Sequence, residues 1–149
     1  MPEAQWPGIS GRVEAGLHIL PVRVYFEDTD FSGAVYHANY LKFCERGRSE
    51  WLRLIGIHHH ALFEGGGAFV VRRMTCEFLK AAKIDDLLEV RTSCAEATGA
   101  RLELDQRIYK GEVLIFEAKV TVALAGPDGR PRRFPSSLAS LLTKAVSGS

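Results

Sequence analysis

One long helical stretch followed directly by four long strand-like stretches is the feature that leaves this chain the fewest folds. Tyr36 or His37 opens a segment running to about Ile55, in which Tyr40, Leu41, Cys44, Trp51, Leu52 and Ile55 recur at helical spacing, with Gly47 in the same stripe. Gly56 stands where a glycine ends a helix, and a rod of this length measures roughly 28 Å. The stretches 68–80, 87–98, 100–110 and 112–125 follow, with Thr98-Gly99-Ala100 and Lys110-Gly111-Glu112 as hairpin turns between the last three. They are about twice the usual strand length. His18 to Glu27 reads as a further strand, with Val22, Val24 and Phe26 on one face and Arg23, Tyr25 and Glu27 on the other. Long antiparallel strands in one sheet curl around a single helix. The expected fold class is therefore α+β: one domain, a long central helix wrapped by a curved five-stranded antiparallel sheet.

The flanks are simpler. Residues 1–17, rich in Gly and Pro and without period, are expected to be a flexible N-terminal arm, leaving 18–149 as the folded domain. Gly126 to Pro135 is a turn-rich link to a final helix capped by Ser136 or Ser137, with Leu138, Leu141, Leu142 and Ala145 on one face.

A chain of 149 residues fits one domain with a real core. A net charge of +1 gives nucleic acid no hold on the molecule as a whole, so any anion site must be local. Cys44, Cys76 and Cys94 are odd in number and widely spaced, which reads as free thiols in a reducing compartment and not as a disulfide frame or zinc site. His58-His59-His60 is expected to be a solvated loop, because consecutive residues do not converge on one ion. Gly65-Gly66-Gly67 lacks the ending of a phosphate loop and reads as a flexible connection whose backbone can approach a substrate. Met1 to Gly16 has neither the basic nor the apolar region of a signal peptide, and no apolar run reaches the length of a membrane span. A cytoplasmic location is the expectation.

The chemistry concentrates in Asp28-Thr29-Asp30-Phe31-Ser32-Gly33-Ala34-Val35, a turn directly before the long helix. Free N–H groups at a helix start carry partial positive charge and can hold a carbonyl oxygen that becomes negative during acyl transfer. A carboxylate beside them can attack the carbonyl or take a proton from water. Taken alone, an aspartate before a helix is more often only a cap or turn former.

The run Val24-Tyr25-Phe26-Glu27-Asp28-Thr29-Asp30-Phe31-Ser32-Gly33-Ala34-Val35-Tyr36-His37-Ala38-Asn39-Tyr40 resembles the signature of the 4-hydroxybenzoyl-CoA thioesterase family, and within it the Tol–Pal-associated acyl-CoA thioesterases. The resemblance continues through Phe43 to Glu50, Phe69 to Met74 and Ala81 to Asp86, and covers roughly residues 20–135. It implies the hot-dog fold. It also implies hydrolysis of acyl-CoA, short-chain or other small acyl groups first among them, to free acid and CoA. No metal and no bound cofactor are implied, since coenzyme A arrives with the substrate. Asp30 corresponds to the family's catalytic carboxylate, as nucleophile or general base, and His37 to its active-site histidine. By its position, the backbone N–H of His37 is the candidate oxyanion donor. A homodimer or homotetramer with interfacial sites is implied, and protein partners from lipid synthesis or the envelope system fit the subfamily. The chain departs from the pattern at Phe26, where the subfamily commonly has a second tyrosine. Tyr25 is not expected to substitute for it, because neighbouring strand residues face opposite ways.

Coenzyme A carries phosphates, so cations are needed. Lys80 and Lys83 after the first long strand, and Arg130, Arg132 and Arg133 in the link, are the candidate binding residues. Tyr36 and Tyr40 are read as substrate-binding at the helix start, with Tyr40, Leu41 and Cys44 as an apolar wall. Glu45 and Arg48, three apart on the helix, read as a surface pair. Two further functions stay open: a hot-dog hydratase acting on acyl thioesters, and a non-catalytic acyl-CoA sensor or adaptor.

Overall fold

Tyr40, Phe43, Cys44, Gly47, Trp51 and Leu52 fall on one side of an 18-residue helix, α1 (His37–Leu54), and all are buried against a sheet that curves around it. The structure is a computed structural model and describes residues 5–58, 62, 64 and 66–146. The remaining elements are β1 (Arg12–Glu14), β2 (Leu17–Arg23), β3 (Ala68–Phe78), β4 (Leu87–Thr98), β5 (Arg101–Lys110), β6 (Val113–Ala125) and a closing helix, α2 (Ser136–Val146). The strands form one antiparallel sheet in the order β1-β2-β4-β5-β6-β3. This is the expected hot-dog arrangement, with one strand more than the five read from the sequence.

The additional strand lies in the segment expected as a loose arm. Arg12, Val13 and Glu14 pair with Ile19, His18 and Leu17. Two contacts hold it there. The His18 ring nitrogen Nε2 lies 2.7 Å from the carbonyl of Ser10, and Gly11, with φ +75°, runs so close that a Cβ would sit 2.2 Å from the Ile19 carbonyl oxygen.

Cross-strand pairing sorts the inner face into rows. Leu20, Val90, Ile108, Phe116 and Phe78 form one row, and Cys94, Leu104, Val120 and Met74 another. Between them runs His18, Thr92, Gln106, Ala118 and Cys76. The first three of that row are polar and wholly buried. Gln106 is fully satisfied: Nε2 donates to the Cys44 carbonyl and to Thr92 Oγ1, both at 2.9 Å, and Oε1 accepts from Arg48 at 2.9 Å. Gly47 passes directly over this row, where a Cβ would lie 2.7 Å from Val90 Cγ1.

Two details of the helix differ from its reading in the sequence. Phe43 is wholly buried, while Leu41 is exposed, so the buried stripe is rotated slightly from the one expected. Arg48 does not pair with Glu45 on the surface but turns inward to Gln106. The end of the helix is as expected: Gly56 takes φ +95° and the Ile57 N–H returns to the Leu52 carbonyl. Helix α2 buries Leu138 and Leu142 as its spacing predicts. Cys44 and Cys94 are buried and Cys76 half-buried, all free. Burial pushes the Cys44 thiol up to about 12 and the Cys94 thiol to about 11. His59 and His60 lie outside the described residues. No helix among the described residues is long and apolar enough to cross a membrane.

Candidate active site

Strand β2 stops at Arg23, short of the Glu27 expected, because the next acidic side chain turns the chain. The Asp28 carboxylate accepts the Tyr25 N–H at 2.8 Å, and Phe26–Asp28 form a single 3-10 turn. Tyr25 and Phe26 are thus outside the sheet, so strand alternation says nothing about which way they face. Both rings are exposed, and the Phe26 carbonyl accepts the Thr29 N–H and hydroxyl.

The turn then closes on itself. The Asp30 N–H donates to the Ala34 carbonyl and the Gly33 N–H to the Asp30 carbonyl, at 2.9 and 3.0 Å, with Gly33 at φ +85°. The latter is left-handed backbone that suits glycine. Asp30 Oδ1 accepts both the Ser32 hydroxyl and the Ser32 N–H. The Ser32 hydroxyl, then its N–H, hold the Asp30 carboxyl below the usual carboxylate range. Asp30 is exposed, both Ser32 bonds fall on Oδ1, and the Ala34 and Asp30 N–H groups lower the carboxyl further. A carboxylate held ionised, with one oxygen fixed by Ser32, is equipped to act as base or nucleophile.

Two braces fasten the turn to the helix and sheet. Asp28 O accepts the Tyr36 N–H and the buried Asn39 Nδ2, at 3.0 and 2.7 Å. Val35 N–H donates to the Ala82 carbonyl, and Ala34 bridges to Lys83. Helix α1 therefore starts beside the acidic turn. Among the described residues, no side chain caps it, which leaves N–H groups of its first turn open.

His37 is the first residue of α1, with its ring 4.5 Å from that of Tyr36 and edge-on to Phe78 at 6.2 Å. It makes no hydrogen bond to Asp30 among the described residues. Tyr36 is half-exposed. Tyr40 is buried: its ring stacks on Phe116 at 5.4 Å and its hydroxyl accepts the Ala82 N–H at 3.0 Å. The half-exposed Phe78 covers it on the open side. Leu41, expected beside Tyr40 in an apolar wall, points outward.

The basic candidates split. Lys80 and Lys83 stand at the turn, with the Lys80 N–H on the Ile115 carbonyl and the Lys83 N–H on Asp86. Arg132 is tied to Leu124, nine residues further along β6, so Arg130, Arg132 and Arg133 lie roughly 30 Å from the turn within one chain. Arg130 faces Asp128 at 4.0 Å on the surface. Gly67 packs on Leu124 at that same far end.

Ser32 and Asn39 escaped the sequence reading. A serine two residues after an aspartate is the signal that could have exposed the first. Also unforeseen is an exposed apolar rim around the turn, made of Phe26, Phe31, Tyr36, Phe78, Leu79 and Ile84.

A helix swaddled by an antiparallel sheet, with an acidic turn at its N-terminus, defines a hot-dog enzyme built for thioester chemistry. The model of the thioesterase superfamily matches residues 32–117. The acyl-CoA thioester hydrolase YbgC of Escherichia coli O6:H1 is 46% identical over 124 residues, which is 79% of this chain and 90% of that protein. The acyl-CoA thioesterase YbgC of Haemophilus influenzae is 45% identical over 105 residues, 70% of this chain and 77% of that one. The crystal structure of a probable thioesterase from Bartonella henselae superposes with a TM-score of 0.76 at 47% identity, covering 80% of this chain and 99% of that one. The chain belongs to the thioesterase superfamily and is a thioester hydrolase.

Proposed function

We propose that the protein hydrolyses acyl-CoA thioesters to free acid and CoA, with Asp30 as the catalytic carboxylate. The observation that carries this reading is the pairing of an ionised, serine-tethered Asp30 with the uncapped start of α1. The thioester carbonyl meets the first N–H groups of the helix, that of His37 in particular, where the helix dipole stabilises the developing oxyanion. The Asp30 carboxylate attacks the carbonyl carbon or removes a proton from water. The His37 ring, against Tyr36 and Phe78, lines the approach. The acyl-CoA relatives support the substrate class.

The active assembly is a homo-oligomer in this reading. Strand β3 ends the sheet and leaves an edge unpaired, and the rim of the turn exposes several large apolar side chains. Pairing through β3 protects both. It also offers a way for basic residues at the far end of one subunit, Arg130, Arg132 and Arg133, to serve CoA phosphates at another subunit's turn, with Lys80 and Lys83 supplied locally.

The test is free-thiol release from acyl-CoAs of graded chain length by wild type and Asp30→Asn. Turnover should fall at least a hundredfold in the variant while its melting temperature holds. Equal turnover removes Asp30 from the mechanism. Hydration of an enoyl-CoA without thiol release would replace hydrolysis by a hydratase reading.

A further inference from the structure

We propose that the slot between α1 and the β5–β6–β3 face binds a carboxylate carried on a short apolar chain, with Arg48 as its counter-charge. The slot has a volume of about 160 Å³, and Trp51, Leu52, Phe69, Val71, Leu104 and Val122 line it. At roughly 30 Å³ for each water-sized group, it holds about five such groups. Every one of those walls is apolar, so an apolar stem is the natural filling.

The polar lining residues are Glu45, Arg48 and Ser49, of which Arg48 is the cation. Its guanidinium carries five donors and no acceptor. Its one hydrogen bond within the described residues runs from Nη1 to Gln106 Oε1 at 2.9 Å, and no carboxylate pairs with it. Glu45 also borders the slot; it is exposed and acts on Arg48 through space, without an ion-pair contact among the described residues. Gln106 cannot rotate to serve otherwise, because both N–H groups of its amide are committed to Cys44 and Thr92. A half-buried cation thus faces the slot with one neutral acceptor and several free donors. Burial holds the guanidinium below its ordinary value, against Cys44 and Glu45, which raise it. A carboxylate supplies two acceptors in the fork geometry that arginine matches.

The slot is not the scissile site of the same chain. Arg48 lies about 16 Å along α1 from His37. The carboxylate has two sources with one chemistry: a free short-chain acid, or the far-end carboxyl of an acyl group whose thioester sits at a neighbouring subunit's turn.

Calorimetric titration of the whole protein with hexanoate and with hexanol tests the site. Hexanoate should bind at least tenfold more tightly than hexanol. Arg48→Met should weaken hexanoate at least tenfold, and so should Leu104→Phe, which fills the slot and keeps the guanidinium. Asp30→Asn should leave the affinity unchanged, which separates this site from the thioesterase reading. Equal binding of hexanol, or unchanged hexanoate affinity in the folded variants, overturns the proposal. The sources separate by thiol release. If the carboxylate arrives on the acyl group, Arg48→Met depresses turnover of adipoyl-CoA more than that of hexanoyl-CoA. If it arrives free, added hexanoate alters turnover by wild type and not by Arg48→Met.

Discussion

Tyr40 and Phe116 stack with ring planes 8° apart, and the hydroxyl at the end of that stack accepts the backbone N–H of Ala82. The contact joins the first turn of α1 to the segment that braces the acidic turn. Tyr40→Phe keeps the stack but leaves a buried N–H without a partner, which should cost about 1–3 kcal/mol. Chemical denaturation should show a lower midpoint with an unchanged slope. An unaltered midpoint would mean that water reaches Ala82.

Ser32 sets the ionisation of Asp30 through its hydroxyl first and its N–H second. Ser32→Ala removes the larger contribution, so the Asp30 carboxyl should rise toward its ordinary range. With Asp30 as the proposed base or nucleophile, the ionised form is the active one, so the acidic limb of the kcat/KM profile should move to higher pH. In stability terms, the lowered carboxyl favours the fold above its unfolded value and loses that preference as pH falls through the folded one. Asp30 is exposed, so only the kinetic profile is a useful readout. A limb that stays in place in Ser32→Ala would show that another group sets it.

His18 titrates in the opposite sense to a salt-bridged histidine. Burial lowers it, against the Ser10 carbonyl and the more distant Glu50, which raise it. Among the described residues, its buried Nδ1 has no partner. The neutral ring is the folded form, so the unfolded chain takes up the proton first. Stability should therefore decline as pH drops below about 6.5, the ordinary histidine value, and level off below the folded one. Urea midpoints between pH 7.5 and 5 should fall for wild type and flatten in His18→Gln. Parallel curves would assign the pH response elsewhere.

The free edge of β3 gives a prediction on assembly. Val70 is 38% exposed on that terminal strand. Sedimentation of wild type should give a dimer or tetramer, and Val70→Lys should shift it toward monomer. A wild-type monomer at every concentration would sink the shared-site arrangement.

What the sequence disclosed follows from how far each interaction reaches. Helix α1 was legible because its stripe and the Gly56 stop are local. The four long strands were legible through their hairpin glycines. Strand β1 was not, since Arg12, Val13 and Glu14 are all exposed and show no alternation. The overrun of β2 came from Val24 and Phe26 continuing a period-two pattern that the Asp28 carboxylate then cuts. The acidic turn around Asp30 stood out because its motif is contiguous. The inward turn of Arg48 was hidden, because its partner Gln106 is 58 residues away and helical periodicity counts arginine as surface.

The polar row beneath α1 works as a key for strand alignment. Hydrophobic side chains alone would tolerate several offsets between β4 and β5, since leucine for isoleucine costs little. A slip of two residues in β5, which keeps the same face inward, would bring Leu104 or Ile108 to the place of Gln106, against the Cys44 carbonyl and Thr92 Oγ1. Neither aliphatic side chain can repeat the bonds of the amide there, so misaligned sheets are penalised at one buried point and the chain is left with a single way to close around its helix.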